Sequence, residues 1–392
     1  MKSLFTRAIV LAILSLIILS CSDDPSSIGI DLIGSENLYV NTFNTQDDST
    51  VQNSSYYKEV VSLGLSTRNF IGIKGDIEAS TLMKFDFLLD DSLKNSFLND
   101  SITVTEAVIK LYTNYTYNDA QQSIDFTIHK ITNYWTSGTF TIDSLPLLMY
   151  DNQDLSSNKN FSDSLYTLDI DNSLVLSWLK TSFDTTLEKN YGIYCKPTSG
   201  SDKIIGFPAY SLSDTSYASL TVIFNKMGSF VDTVTGYLTS DVSVISGDLP
   251  VLPAGEIGIQ GGLTVRSKLF FKIINIPENV VINNAQLILT QDTLSSVTSK
   301  SGAGSIAVFG IVDSTTDSVD VYSSVFMTKN DNIFTGNITS IVDKWVNKKN
   351  NQGLIITTGT LTDNLELLAI KGSDYPNILE RPQIKVTYTS QK

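Results

Sequence analysis

Residues 71–87 read IGIKGDIEASTLMKFDF, and residues 257–273 read IGIQGGLTVRSKLFFKI. The two stretches align without gaps 186 positions apart, and Gly72, Gly75 and Phe85 are among the identical positions. In each stretch a turn that contains glycine separates two segments of alternating apolar and polar residues, which is typical of a β-hairpin. A recurrence of this length indicates a duplicated β unit.

Two further matches follow the hairpins in the same order. A strand with a central alanine, residues 102–111, matches residues 280–289. Residues 174–179 then match residues 341–346, and the spacing places the four apolar side chains of each on one face of a short helix. The offset shrinks along the chain, as expected of a duplication followed by changes in loop length.

The two short helices carry the clearest local signals. Asp171 or Asn172 is a suitable N-cap for the first helix, and Thr339 is suitable for the second. Trp178 and Trp345 lie on the apolar faces, so we expect both indoles in hydrophobic cores rather than in binding sites.

The composition favours an all-β protein and excludes several functions. The chain has 392 residues, a net charge of −14 and one His. Only nine of its 41 acidic residues are Glu, and the excess of Asp fits many turns between short strands. The negative charge argues against nucleic acid as a partner, and one His excludes zinc sites that need two imidazoles.

The N-terminus predicts a lipid anchor. Lys2 and Arg7 precede an apolar run, residues 8–19, which is followed by Ser20 and Cys21. This arrangement resembles the lipobox of bacterial lipoproteins and implies a signal peptide over residues 1–20, with acylation of Cys21 anchoring the chain in a bilayer.

The residues that follow Cys21 predict the membrane in which the protein is anchored. Asp23 and Asp24 resemble the surface-export signal of Bacteroidetes lipoproteins, which implies the outer membrane, with its inner and outer faces as the two alternatives. Residues 28–34 resemble the start of an uncharacterised lipoprotein family of that group. We expect residues 21–38 to form a flexible tether.

The order of motifs resembles the DNRLRE-type domain, a β-sandwich module with jelly-roll character. The first unit carries the aliphatic-Phe strand at 82–87, the alanine strand at 107–111, Trp135 with a Thr-rich stretch, and Asn190-Tyr191-Gly192. The resemblance implies two tandem antiparallel sandwiches, each with one short tryptophan-containing helix. Their predicted bounds are 39–227 and 236–392, with a junction near residues 226–235.

Two departures from the DNRLRE pattern affect the functional reading. The first unit has Tyr217-Ala218-Ser219 where the second has Arg381-Pro382, and the second unit has no tryptophan matching Trp135. The resemblance implies a protein that is not an enzyme and that binds polysaccharide or another surface component. A structural spacer, an adhesin or an assembly subunit of an outer-membrane complex is the alternative.

Exposed aromatic faces are the groups that would bind sugar rings. Tyr115, Tyr117 and Trp135 are the candidates, and alternation places the two tyrosines on one face of a strand, opposite Tyr112. These aromatic side chains could instead pack within the sandwich or cover a strand edge.

No metal or cofactor is firmly predicted. Asp169 and Asp171 have an oxygen-rich spacing that calcium could use, with turn or helix capping as the alternative. Alternation places His129 on an exposed polar strand face with Thr127, which argues against a Ser-His-Asp triad. A glycan hydrolase with paired carboxylates is the third possibility, and Cys195 should be a buried free thiol.

Overall fold

The computed structural model describes residues 38–47, 50–119, 121–162, 164–210, 217–226, 230–300, 304–360 and 362–391. The predicted signal peptide, tether and Cys21 lie outside these residues. Within them the protein is all-β, with large antiparallel sheets and few short helices, as predicted. No helix in this part of the chain is long and apolar enough to cross a membrane.

The elements of residues 38–246 are as follows. The strands are β1 (Leu38–Asn44), β2 (Gln52–Lys58), β3 (Arg68–Lys74), β4 (Ile77–Phe87), β5 (Ile102–Tyr112), β6 (Tyr115–Thr116), β7 (Phe126–Lys130), β8 (Ser156–Phe161), β9 (Leu165–Ile170), β10 (Ile193–Pro197), β11 (Lys203–Pro208), β12 (Ser219–Lys226) and β13 (Phe230–Ser246). The α-helices are α1 (Lys94–Leu98) and α2 (Asn172–Thr181), with 3-10 turns at Asp91–Leu93, Tyr117–Asp119, Ser137–Thr139 and Ile142–Leu147.

The elements of residues 256–391 repeat much of this order. The strands are β14 (Glu256–Gln260), β15 (Val265–Phe271), β16 (Val281–Val297), β17 (Ile306–Asp313), β18 (Ser318–Val319), β19 (Val325–Phe326), β20 (Thr328–Asn330), β21 (Ile333–Asn337), β22 (Leu354–Thr358), β23 (Leu367–Lys371) and β24 (Gln383–Gln391). The α-helix is α3 (Thr339–Asn347), with 3-10 turns at Val321–Ser323 and Ile378–Glu380.

Strands β3 to β13 form the first sandwich. Their hydrogen-bonded order is β6-β11-β3-β4-β13-β12-β5-β9-β8, and β10 pairs with β4 and β7. The long strand β13 pairs with β12 over its first half and with β4 over its second half, so it runs through both layers. Phe85, Ile109, Leu168 and Val222 are fully buried between the layers, where their apolar surface is removed from water.

Strands β1, β2 and β14 to β24 form the second sandwich. Their main order is β1-β24-β16-β23-β14-β15-β22-β17-β18, with β2 on β15 and β21 on β16. Here β16 is the long strand that joins the layers, since it pairs with β24 near its start and with β23 near its end. Leu269, Leu287 and Ile356 are buried in the core, together with Phe43 from β1.

The sheet partners differ from the predicted unit boundaries at two places. Residues 38–58, which sequence analysis grouped with the first unit, pair with β24 and β15 of the second sandwich. Residues 230–235, predicted as a junction, lie within β13 of the first sandwich. For the second difference the reason is local: β12 and β13 pair from Lys226 with Phe230 to Ser219 with Tyr237, which holds residues 230–237 in the first sandwich.

An asparagine has the same role in both copies. The amide nitrogen Nδ2 of Asn190 donates to the carbonyl oxygen of Phe85 at 2.7 Å, and Nδ2 of Asn351 donates to the carbonyl oxygen of Phe271 at 2.7 Å. Phe271 follows Phe85 by the same 186 positions that separate the two hairpins. The repeated motif therefore fastens the loop after each helix to the equivalent strand.

A glycine follows each of these asparagines for a steric reason. Gly192 and Gly353 have φ of +86° and +95°, and a Cβ atom added to them would lie 2.2 Å from the carbonyl oxygen of Met83 and 2.6 Å from that of Leu269. Only glycine combines this backbone conformation with so close an approach.

The two helices bury their tryptophans as predicted. Trp178 and Trp345 are both buried in the cores. Asp171 is the N-cap of α2, and its carboxylate accepts from the backbone N–H of Leu174 at 2.9 Å. The prediction for Thr339 is wrong: the N-cap position of α3 is Ile338, because the Thr339 hydroxyl accepts instead from the backbone N–H of a neighbouring strand residue, at 2.8 Å.

Candidate functional site

A cleft of about 630 Å³ opens on the first sandwich beside Trp135. Three separate parts of the chain form most of its walls: the end of β4, the segment 134–136 and the segment from α2 to residue 191. The lining residues are Lys84, Asp86, Phe87, Tyr134, Trp135, Thr136, Trp178, Thr181, Ser182, Thr185, Lys189, Asn190, Tyr191 and Ser240.

The Trp135 indole is held in place from two sides. Its Nε1–H donates to the backbone carbonyl oxygen of Tyr191 at 2.7 Å, and its ring meets Phe140 edge-on with centroids 6.3 Å apart. The indole remains half-buried, and the neighbouring Tyr134 is 75% exposed. The cleft therefore presents aromatic surface at a fixed position, which suits stacking against a ring.

Charged side chains surround this aromatic surface. The Nζ of Lys84 lies 3.4 Å from Oδ2 of Asp86, and the hydroxyl of Thr239 donates to the same carboxylate oxygen at 3.1 Å. Lys189 is exposed on the opposite wall. Two ammonium groups and one carboxylate give the cleft donors and an acceptor for hydroxyl or carboxylate groups of a ligand.

Both polar atoms of the Asn190 side chain, by contrast, already make hydrogen bonds within the protein. Its Nδ2 bonds the carbonyl oxygen of Phe85, and its Oδ1 accepts from the backbone N–H of Gly192 at 2.8 Å. It shapes the wall beside Tyr191 and positions the carbonyl that holds Trp135.

A second, smaller cleft of about 390 Å³ is lined in part by the same segment. It shares Tyr134, Trp135 and Thr136 with the first cleft and is otherwise lined by Asn133, Thr139, Phe140, Ser144, Leu147 and Leu148. Residues 134–136 therefore line both clefts.

At the tryptophan helix of the second sandwich, the described residues line a much smaller cavity. The cavity against Trp345 has a volume of about 30 Å³, and an ion pair between Lys344 and Asp320 lines it. The hydrogen bond from Lys344 lowers the pKa of Asp320 to about 2. By strand pairing Gly310 corresponds to Lys130, so the position five residues beyond it, equivalent to Trp135, is Thr315. The aromatic side chain at this position is therefore specific to the first copy.

Two of the three predicted sugar-binding aromatics are not available to a ligand. Tyr115 is 3% exposed and Tyr117 is 6% exposed, whereas Tyr112 is exposed on the opposite face. Alternation correctly placed the two tyrosines together, but the face they share is covered by the second sandwich. The prediction that they bind sugar is wrong, and Trp135 is the candidate that remains.

Tyr115 instead joins the two sandwiches. Its hydroxyl donates to Oε1 of buried Glu366 at 3.0 Å and accepts from the backbone N–H of Leu365 at 3.2 Å. The Arg68 guanidinium lies 4.8 Å from the centre of the Tyr115 ring and donates to the carbonyl oxygen of Asp363 at 2.7 Å. Burial raises the pKa of the Tyr115 hydroxyl, so it stays protonated and able to donate.

His129 is buried rather than exposed. It shares a strand face with Thr127, as predicted, but the loop that contains Asp151 and Gln153 covers that face and leaves 7% of the side chain exposed. The carbonyl oxygens of Asp151 and Gln153 lie 2.9 and 3.1 Å from Nδ1, and the Thr127 hydroxyl lies 2.8 Å from Nε2. Carbonyl oxygens only accept, so Nδ1 carries a proton and the ring fastens a loop to β7.

The two calcium candidates have structural partners. Asp171 caps α2, and Asp169 accepts from Nδ2 of Asn158 at 2.6 Å. Among the described residues no group of three or more His, Cys, Asp or Glu side chains could hold a metal ion. The capping alternative is confirmed for Asp171.

Sequence reasoning missed the groups that surround Trp135. Lys84 and Asp86 had a usable signal, since alternation along β4 points both away from the buried Phe85 and Phe87. Tyr191 and Lys189 had none, because only the fold brings the loop after α2 against the segment 134–136. Cys195 is a buried free thiol, as predicted.

The comparisons with known proteins found no match: no family model, curated protein or solved structure is similar enough to this chain to be identified.

Proposed function

We propose that this protein is a cell-envelope lipoprotein without catalytic activity, which binds polysaccharide in the cleft beside Trp135. The observation that carries the proposal is the combination of a fixed indole, an exposed Tyr134 and a rim of Lys84, Asp86 and Lys189. Aromatic faces stack on the C–H groups of sugar rings, and charged side chains bind their hydroxyl or carboxylate groups.

The absence of catalysis is part of the same proposal. His129 is the only histidine of the chain, and both its ring nitrogens face groups of the protein itself. A general base needs a nitrogen directed at a nucleophile or a substrate proton. Hydrolysis by paired carboxylates remains the competing enzymatic hypothesis, and the binding assay below also tests it by chain-length analysis of the polysaccharide.

The anchor belongs to the proposal on sequence grounds alone. Cys21 follows an apolar run with basic residues before it, and acidic residues follow at Asp23 and Asp24. We propose that acylated Cys21 holds the protein in the outer membrane, at either the inner or the outer face. Replacement of Cys21 by Ala should release the protein from the membrane fraction, and retention there would contradict the anchor.

A spacer or assembly subunit of an envelope complex is the second candidate. The observation in its favour is the second sandwich, where the cavity against Trp345 is only about 30 Å³ and the position equivalent to Trp135 carries no aromatic ring. A pull-down from envelope extract with the purified chain tests this candidate.

The binding proposal is tested on an array of neutral and acidic polysaccharides. Tyr134→Ala and Trp135→Ala should each weaken binding at least about tenfold, because a central aromatic contact is worth about 2 kcal/mol. Tyr322→Ala is the matched control, since Tyr322 is 97% exposed on the second sandwich. Tyr134 is 75% exposed, so a loss of binding in Tyr134→Ala cannot be ascribed to unfolding. No binding to any polysaccharide by the unaltered chain would refute the proposal.

A further inference from the structure

Two segments of the chain occupy equivalent places in opposite sandwiches. The N-terminal donor segment, residues 38–58, contains β1 and β2 and lies in the second sandwich. The middle donor segment, residues 230–246, is β13 and lies in the first sandwich. Each segment ends ten residues before the hairpin of its own repeat, at Lys58 before Arg68 and at Ser246 before Glu256.

The pairing registers show that the two segments have the same role. The end of each repeat is a strand with a central valine, Val222 or Val386, and these pair with Val234 and Phe43 respectively. The final part of each segment pairs with the second hairpin strand, β4 or β15, antiparallel in both cases. Each segment therefore adds one strand to both layers of a sandwich.

We propose that the two repeats exchange their first strands. The first sandwich is then continuous, residues 59–246, and the second is assembled from two separate parts, residues 38–58 and 247–391. The surface between β24 and β15 of the second sandwich is a strand-binding site, and its ligand is the N-terminal donor segment of the same chain, bound by strand addition.

The contacts of the N-terminal donor segment are those of an integral part of the second sandwich. Phe43 is 5% exposed and packs in the hydrophobic core. The backbone N–H of Thr45 donates to the carbonyl oxygen of Ile384 at 3.1 Å, and the Thr45 hydroxyl accepts from the Ile384 N–H at 2.9 Å. The hydroxyls of Ser54 and Ser373 lie 3.0 Å apart. Apolar burial and hydrogen bonds together make this segment more than a surface strand.

Exchange has a consequence for the proposed binding function. The predicted tether ends at β1, so it joins the second sandwich, while the cleft lies on the first. Residues 59–67 and 247–255 provide two covalent connections between the sandwiches. The buried contacts of Tyr115 with Glu366 and of Arg68 with Asp363 add a third attachment. The cleft therefore lies on the sandwich that is not joined directly to the tether. That sandwich is attached to the tethered one at three places rather than by a single flexible joint.

Engineered disulfides distinguish exchange from the alternative in which each repeat keeps its own first strand. Thr42 pairs with Thr387, and Thr233 pairs with Ile223 at the equivalent place in the first sandwich. Cα atoms of paired antiparallel residues are about 4.5–5.5 Å apart, within the range of a disulfide. We would introduce these cysteine pairs into the full-length chain with Cys21→Ser, where Cys195 is buried.

The matched controls use the same four substitutions in the other combination. Exchange predicts an intramolecular disulfide in Thr42→Cys with Thr387→Cys and in Thr233→Cys with Ile223→Cys, mapped by mass spectrometry of proteolytic peptides. The unexchanged pairs, Thr42→Cys with Ile223→Cys and Thr233→Cys with Thr387→Cys, should give at least roughly tenfold less, because their Cα atoms are not neighbours. Equal or greater yield in the unexchanged pairs, or disulfide-linked dimers in the exchanged ones, would overturn the proposal.

Discussion

Removing the Phe43 side chain should destabilise a part of the protein that is distant in sequence. Phe43→Ala deletes a ring that is 5% exposed in the core of the second sandwich. A buried Phe→Ala change costs about 3–5 kcal/mol, and because β1 is an outer strand whose surroundings can partly collapse, we expect about 3 kcal/mol. For a sandwich of this size that loss lowers the Tm by about 6–12 °C.

The assay should report each sandwich separately. Trp345 is the single tryptophan of residues 247–391, and Trp135 and Trp178 belong to the first sandwich. In a chain labelled with 5-fluorotryptophan, ¹⁹F NMR during thermal unfolding should show that the Trp345 signal changes at a lower temperature in the variant. Val40→Ala is the matched control, since Val40 is 70% exposed on the same strand, and it should change stability by less than about 0.5 kcal/mol.

Two results would refute this reasoning. If Phe43→Ala shifted the Trp178 signal and left Trp345 unchanged, residue 43 would belong to the first sandwich in solution. If the loss of stability were below about 1 kcal/mol, the ring would not be a core residue.

Three further predictions concern single side chains. Tyr115→Phe should cost about 1–3 kcal/mol in urea unfolding, because Glu366 loses its hydroxyl donor inside the protein, and should leave polysaccharide binding unchanged. Asp171→Ala should cost about 1 kcal/mol at neutral pH. Hydrogen bonds, above all the one from the Ser173 hydroxyl, lower the pKa of the Asp171 carboxyl in the folded protein. The stability that the cap contributes is therefore fully present above the ordinary pKa of 3.8 and is lost as the pH falls through the lower folded-state pKa. Thermal melts of the unaltered protein and of Asp171→Ala should converge at that low pH, and a difference in Tm that stays constant with pH would contradict the cap. Burial raises the pKa of Cys195, so a thiol reagent should label it only after denaturant unfolds the chain, and rapid labelling of the folded protein would contradict its burial.

Sequence predicted the local parts of the fold well. The hairpins, the two tryptophan helices and the Asp171 cap depend on residues within a few positions of one another, so spacing and side-chain chemistry determine them. The wrong prediction of Thr339 as an N-cap concerns a single residue, whose hydroxyl accepts a hydrogen bond from the backbone of a neighbouring strand instead of capping the helix.

The burial of individual side chains was predicted less well from the sequence than the local structure was. Alternation states which side chains share a strand face but not what covers that face, and this misplaced both Tyr115 and His129. The second sandwich covers Tyr115, and a loop covers His129. The cleft could be predicted only through Trp135 and, by alternation, through Lys84 and Asp86, because its other wall includes a loop more than fifty residues beyond Trp135.

The pairing of Leu38 with Gln391 sets an order for folding. During synthesis the first sandwich can complete itself once residue 246 has emerged, whereas β1 must wait until β24 has been made, and contacts between such distant residues form slowly. An unpaired strand is an aggregation hazard while it waits. The segment 38–58 is rich in Asn, Ser and Thr and contributes one phenylalanine to the core, a composition that keeps it soluble until its partners exist. The same polarity suits its final position, where every residue of β1 and β2 except Phe43 is exposed or half-buried.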